Sequence, residues 1–210
     1  MEKARIKFCG LTRPEDIGYV NEILPEYIGF VFWEKSRRYV DAQRAMMLRS
    51  ALSGDIRAVG VFVDEEPDRI AELLNSNVID IAQLHGHEDE ACIRKLRNLT
   101  DKPLIKAFRI QSGRDVAEAE KSSADHILLD AGMGDGMTFD WTLLSKVMRP
   151  YFLAGGLDIL NISDAVRKLH PFAVDVSSGI ETDGIKDPEK MKDFATRVRF
   201  MSRLPGISGE

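Results

Sequence analysis

Short apolar runs recur roughly every 20 to 30 residues, and the stretches between them carry apolar residues at helical spacing. The runs are Arg5-Ile6-Lys7-Phe8-Cys9, Tyr27 to Phe32, Ala58 to Val63, Ile79 to Leu84, Leu104 to Phe108, His126 to Leu129, Tyr151 to Ala154, and Pro171 to Val174, which leads into Asp175. After the first, Thr12 predicts a cap, Pro14 a first turn, and Ile17, Val20 and Leu24 an apolar stripe. Later helices are predicted from about Asp41 to Leu52, behind Pro67, along Cys92, Leu96 and Leu99, around Asp115 to Lys121, and along Ile162, Val166 and Leu169. The last follows Met191, Phe194 and Val198.

Strands alternating with helices in this way predict a parallel sheet. Eight such units without a linker or low-complexity break favour an α/β fold in which one sheet closes on itself, a single (β/α)8 barrel spanning residues 1–203. Such barrels average about 250 residues, so 210 leaves room only for short loops. The tail 204–210, Leu-Pro-Gly-Ile-Ser-Gly-Glu, is expected to fray.

Composition narrows the function more than the fold. A hydrophobic share of 44% beside a charged share of 30% suits a water-soluble globular chain. The net charge of −5 comes from interleaved acids and bases, so no basic surface argues for nucleic acid, and an anionic ligand would depend on local donors. The opening Met-Glu-Lys-Ala-Arg lacks a signal-peptide pattern, and no run approaches the roughly 18 apolar residues of a membrane span. Cys9 and Cys92 have no metal-type spacing, which predicts reduced thiols and a cytoplasmic address.

In a closed barrel the active site gathers at the C-terminal ends of the strands. Those ends carry Cys9, the Arg37-Arg38 loop, His85, Arg109, Asp130, Gly155-Gly156 and Ser177-Ser178-Gly179. Each glycine segment alone could simply turn the chain. Two in succession, each read as strand, glycine, helix, predict a phosphate site after the seventh and eighth strands, where amides and a helix dipole favour an anion. His85 is open to two readings, a rim hydrogen bond or a substrate contact. His85 and Asp130 lack further His or carboxylate partners at neighbouring strand ends, so no metal centre is expected and a metal-dependent sugar-phosphate epimerase is disfavoured. Strand parity turns Ile6 and Phe8 toward the helices and Lys7 and Cys9 toward the barrel axis. Lys7 is then expected to favour a Cys9 thiolate and to belong to the substrate-binding set, with Asp175 as its neutralising partner inside the barrel.

At this point a set of ordered blocks resembles the phosphoribosylanthranilate isomerase family. They are Lys7-Phe8-Cys9-Gly10-Leu11-Thr12, Gly29-Phe30-Val31-Phe32 with Ser36-Arg37-Arg38-Tyr39-Val40, Val59 to Val63, Gln83-Leu84-His85-Gly86, Leu128-Leu129-Asp130, Thr138-Phe139-Asp140-Trp141, Leu153 to Leu157, and Asp175-Val176-Ser177-Ser178-Gly179. The resemblance covers nearly the whole chain. It implies the isomerase of tryptophan biosynthesis, which turns N-(5-phosphoribosyl)anthranilate into 1-(2-carboxyphenylamino)-1-deoxyribulose 5-phosphate by an Amadori rearrangement, with neither cofactor nor metal. It further implies Cys9 as general base, Asp130 as general acid, Arg38 as partner of the anthranilate carboxylate, and the two glycine segments as the phosphate site. The expected partner is that small-molecule substrate, and the chain is expected to act as a monomer or homodimer. Another phosphosugar isomerase or synthase on the same scaffold, or a non-catalytic binder of phosphorylated metabolites, remains as an alternative.

Two positions depart from the family pattern. Phe8 stands where an aliphatic residue is usual, on a helix-facing position that should accept it. The loop after the sixth strand, Met133-Gly134-Asp135-Gly136, is short, and Asp135 adds negative charge where an anionic substrate would be covered. The chemistry also constrains protonation. The forward reaction needs Cys9 ionised while Asp130 is protonated, a pairing of about one molecule in 10⁴–10⁵ at ordinary pKa values. Desolvation of Asp130, and the charges of Lys7 and of the bound substrate's imine near Cys9, are therefore expected to bring the two values together.

Overall fold

The computed structural model describes residues 3–132 and 141–203. The glycine loop with Asp135, the Thr138-Phe139-Asp140 part of its block and the tail 204–210 lie outside the described residues.

Eight parallel strands close into one barrel in sequence order: β1 (Arg5–Cys9), β2 (Tyr27–Val31), β3 (Arg57–Phe62), β4 (Ile81–Leu84), β5 (Leu104–Arg109), β6 (His126–Asp130), β7 (Tyr151–Ala154) and β8 (Ala173–Val176). The closing register sets Ile6 beside Val174 and Lys7 beside Asp175. Alternation along each strand separates two cores. Ile6, Phe8, Ile28, Phe62, Leu129 and Val174 belong to the sleeve between barrel and helices. Tyr27, Val59, Ile81, Ile105, Leu128 and Phe152 fill the axis. Phe8 is fully buried in the sleeve, edge-on to Phe194 at 6.1 Å, so the aromatic fits where an aliphatic residue is usual. Phe152 packs against Tyr27 at 5.3 Å and Phe172 at 5.5 Å, and Arg5 lies 4.1 Å over the Phe172 ring. That aromatic plug closes the end of the barrel opposite the strand C-termini, and His126 stacks on it through Phe172.

The helices are α1 (Pro14–Ile23), α2 (Ala42–Ser50), α3 (Pro67–Asn75), α4 (Glu90–Leu99), α5 (Gly113–Ala119), α6 (Ile162–Leu169) and α7 (Pro188–Met201). Their starts follow local chemistry. Asp41, Asp89 and Asp187 accept amide hydrogen bonds from the first turns of α2, α4 and α7, and Pro67 and Pro188 open theirs. Four expectations need correction. Thr12 is not the cap of α1: Arg13 is, and Asp16 reaches back to the amides of Thr12 and Arg13, each at 3.0 Å. Leu24 leaves the α1 stripe because it ends the helix at φ 55°, which turns its side chain half into solvent. On α4, Ile93 and Leu96 are buried while Cys92 and Leu99 sit at the edge of the stripe. After β8 the chain does not run into a helix. It first makes a two-stranded hairpin, β9 (Glu181–Thr182) and β10 (Ile185–Lys186), across a turn in which Asp183 (φ 51°) and Gly184 (φ 79°) both have positive φ. After β6 a 3-10 segment, Trp141–Lys146, takes the place of an α-helix.

Candidate active site

Cys9, Asp130 and Ser177 stand at the same end of the barrel, with His85, Gly155 and Arg38 around them. Cys9 is the axis-facing last residue of β1, and its backbone oxygen accepts a hydrogen bond from Ser177 Oγ at 3.0 Å, which ties β1 to the segment after β8. One pleat below, Lys7 has no exposed surface and donates from Nζ to Asp175 Oδ2 at 2.8 Å. Lys7 therefore supports the mouth from underneath rather than lining it. Burial pushes the Cys9 thiol up. Lys7 and Lys186 oppose this, Asp175 adds to it, and the balance leaves the thiol above its ordinary value. In the unliganded site the expected lowering by Lys7 does not prevail, because burial of the thiol is the larger effect and Asp175 adds to it.

Asp130 ends β6, beside Arg109 of β5 in the register. Its Oδ1 accepts the Gly132 amide at 2.8 Å. Its Oδ2 faces His85 Nε2 at 3.6 Å, too long for a hydrogen bond but close for a charge. Behind the ring, Gln83 Nε2 lies 2.7 Å from His85 Nδ1. With that amide donating to Nδ1, the proton of a neutral ring sits on Nε2 and points at Asp130. Burial pushes the Asp130 carboxyl up, but the His85 ring, the Gly132 amide and Arg109 together outweigh it and hold the group below the ordinary carboxylate value. The expected rise of Asp130 is thus also overturned in the unliganded site. The two groups move apart.

The two glycine segments converge. Asp158 and Gly179 form a parallel bridge, and a side chain on Gly179 would collide with the Leu157 carbonyl oxygen. Their glycines do different work. Gly155 (φ 97°) leaves space for the Gly132 backbone amide and for Asp130, since a Cβ there would collide with that nitrogen and lie 2.5 Å from Oδ1. Gly156 (φ 62°) has nothing within 4 Å of such a position and faces open space. Neither segment leads directly into a helix: α6 starts at Ile162, and the hairpin intervenes before α7. The helix-dipole part of the phosphate argument is absent at both, and the convergent turns themselves remain.

Arg38 lies over the mouth in the loop after β2, and its guanidinium is already engaged. Nε and Nη2 donate to Glu181 Oε1 and Oε2 at 2.6 and 2.7 Å. Arg37 Nη2 reaches the same Oε2 at 2.9 Å, but its side chain is 62% exposed against 20% for Arg38. Lys186 Nζ donates to Glu181 Oε1 at 2.7 Å and to the Ser177 carbonyl at 2.9 Å. Burial pushes Glu181 up, yet Arg38 and Lys186 hold it ionised, below its ordinary value. Burial pulls Lys186 down despite Glu181. The strand-end reading omits both residues because they lie beyond Gly179, in a stretch before the last helix for which no element is predicted. The signal was present in Glu-Thr-Asp-Gly-Ile-Lys, where Asp183-Gly184 is a two-residue hairpin turn that needs positive φ twice.

The model of the N-(5′-phosphoribosyl)anthranilate isomerase family matches residues 6–197. The chain belongs to this family. An N-(5′-phosphoribosyl)anthranilate isomerase of Endomicrobium trichonymphae is 44% identical over 202 residues, 94% of this chain and 99% of that protein. The crystal structure of phosphoribosyl anthranilate isomerase from Thermotoga maritima superposes with a TM-score of 0.86 at 35% identity, covering 94% of this chain and 99% of the other. A second structure of such an isomerase, in complex with reduced 1-(o-carboxyphenylamino)-1-deoxyribulose 5-phosphate, gives a TM-score of 0.84 at 35% identity and the same coverage. Among the described residues no group of three or more His, Cys, Asp or Glu is placed to hold a metal ion, and no helix is long and apolar enough to cross a membrane.

Proposed function

We propose that this chain carries out the family's isomerisation, with Asp130 as general acid, Cys9 as general base, Arg38 on the anthranilate carboxylate and the Gly156 and Ser177-Ser178-Gly179 turns on the 5-phosphate. The observation that carries the reading is the placement of a thiol and a carboxylic acid on β1 and β6 at one mouth, between an arginine and a convergent pair of glycine turns. Asp130 delivers its proton to the ribose ring oxygen, the bond from that oxygen to C1 breaks, and the nitrogen lone pair forms a protonated imine. The imine acidifies the C2 proton, which the Cys9 thiolate takes. The electron pair left on C2 neutralises the imine as an enolamine, and tautomerisation gives the aminoketose. Anchors at both ends of the substrate hold C1 and C2 between the two groups, so remote binding energy serves the reacting centre.

The resting pair, thiol and carboxylate, holds the same number of protons as the reactive pair, thiolate and acid. Proton transfer between them costs free energy but needs no exchange with bulk solvent. Lys7 and Lys186 favour the thiolate, and positive charge on the imine favours it further in the complex. His85 orients Asp130 at the rim. The site residues named here all come from one chain, so the reading holds for a monomer or a homodimer, and the free thiols of Cys9 and Cys92 suit the cytoplasm. The decisive experiment is a fluorescence assay of phosphoribosylanthranilate consumption. Enzyme-dependent loss of fluorescence with formation of the aminoketose supports the reading, and binding without turnover overturns it.

A further inference from the structure

We propose that Glu181 is a positioning residue that aims Arg38 at the substrate carboxylate. The inference rests on the reading of Arg38 as that carboxylate's partner. A guanidinium is planar and offers two bidentate edges, one of Nε with Nη2 and one of Nη1 with Nη2. Glu181 takes the first edge, at 2.6 and 2.7 Å. Among the described residues no side chain or carbonyl takes the second edge as a bidentate partner, which leaves it to a carboxylate arriving end-on. The arginine stem is fixed from below as well, because Arg38 Cδ lies over Gly10 where no side chain fits.

Glu181 cannot easily yield its place to the substrate. It is buried, Lys186 Nζ holds its Oε1 at 2.7 Å, and Lys190 Nζ holds its carbonyl at 2.7 Å. The hairpin carrying it is pinned at its base, next to Glu181, where the Asp187 amide donates to the Ile180 carbonyl at 3.0 Å. Nor does it cancel the attraction for an anion. Arg37, Arg38 and Lys186 face this one carboxylate, so the cluster keeps two positive charges in excess. Glu181 thus freezes the direction of one flexible side chain and leaves the field of the mouth positive.

The test is a double-mutant cycle of Arg38→Met and Glu181→Gln, read as kcat, KM, and inhibition by anthranilate and by inorganic phosphate. Glu181→Gln is expected to raise KM and the anthranilate inhibition constant about tenfold, the loss of oriented, charge-assisted bonding, with kcat changed far less. Inhibition by phosphate should stay as in the wild type. In the Arg38→Met background the same change should add less than about twofold, because the group it aims is gone. A fall in KM for Glu181→Gln would overturn the proposal by making Glu181 a competitor of the substrate. An equal rise in both backgrounds would also overturn it, by assigning the effect to Lys186 or to the hairpin. Unchanged KM in Arg38→Met alone would instead remove the Arg38 reading beneath it. If Glu181→Gln does not fold, Glu181→Asp serves in the same cycle, since it keeps the buried charge but falls one methylene short of the Arg38 edge.

Discussion

Lys7 Nζ and Asp175 Oδ2 are 2.8 Å apart across the seam where β1 closes onto β8, and Lys7 has no exposed surface at all. Burial lowers the Lys7 pKa, but the charges of Asp175 and Cys9 and their hydrogen bonds more than offset it, so the ammonium persists. Removing one partner leaves an uncompensated charge inside the barrel. Lys7→Met should therefore destabilise the fold by about 3–5 kcal/mol in urea unfolding, and Lys7→Met with Asp175→Leu should recover much of that loss. A double variant less stable than Lys7→Met would refute this account of the seam.

That pair was readable before the structure because a β-strand has a fixed period of two. Once Cys9 was assigned to the axis, Lys7 had to follow it, and Asp175 and Ser177 shared a face on the eighth strand. The eight strands are legible as continuous apolar runs, because both faces of a closed parallel sheet are buried: Val59 and Ile105 fill the axis while Ala58 and Leu104 fill the sleeve. Glu181 and Lys186 escaped because their function depends on a hairpin, whose turn chemistry is written in two residues rather than in periodicity. The pKa directions escaped for a different reason. Sequence alone places Lys7 near Cys9 but gives no depth of burial for the thiol, and it places Asp130 at a strand end without the His85, Gly132 and Arg109 contacts that outweigh its burial.

Cys9→Ser should nearly abolish turnover, since a serine hydroxyl is far less acidic than a thiol and cannot serve as the base. Asp130→Asn should do the same by removing the only proton that the acid role supplies. Binding of a product analogue should remain close to wild type in both, measured by titration calorimetry. Near-wild-type kcat in either variant would refute the acid–base assignment and leave the barrel standing.

The two glycines with different surroundings should respond differently to alanine. Gly156→Ala meets no atoms and bears only the strain of a positive φ, about 1–2 kcal/mol of stability. Gly179→Ala must push the Leu157 carbonyl away and part the two turns. Competitive inhibition by inorganic phosphate should weaken at least tenfold in Gly179→Ala and much less in Gly156→Ala, a contrast on the order of 1.4 kcal/mol or more. Equal phosphate inhibition in wild type and Gly179→Ala would move the phosphate site elsewhere.

The pH profile follows from the directions of the two shifts. Because kcat/KM reports the free enzyme, its acid limb belongs to Asp130 and its alkaline limb to Cys9. Burial raises Asp130, but the His85 ring, the Gly132 amide and Arg109 bring it below the ordinary 3.8, while burial lifts Cys9 above the ordinary 9.0 despite Lys7. Below the first limb both groups are protonated and no base exists; above the second both are ionised and no acid exists. Between them the pair always holds one proton, so the reactive fraction is small but independent of pH. The profile should be a broad plateau rather than a narrow bell, with any inflection near about 6 belonging to the substrate phosphate. His85→Asn removes the ring that holds Asp130 down, so the acid limb should move to higher pH while the alkaline limb stays in place. A narrow bell centred near neutrality in the wild type, or an acid limb unmoved in His85→Asn, would overturn this assignment of the limbs.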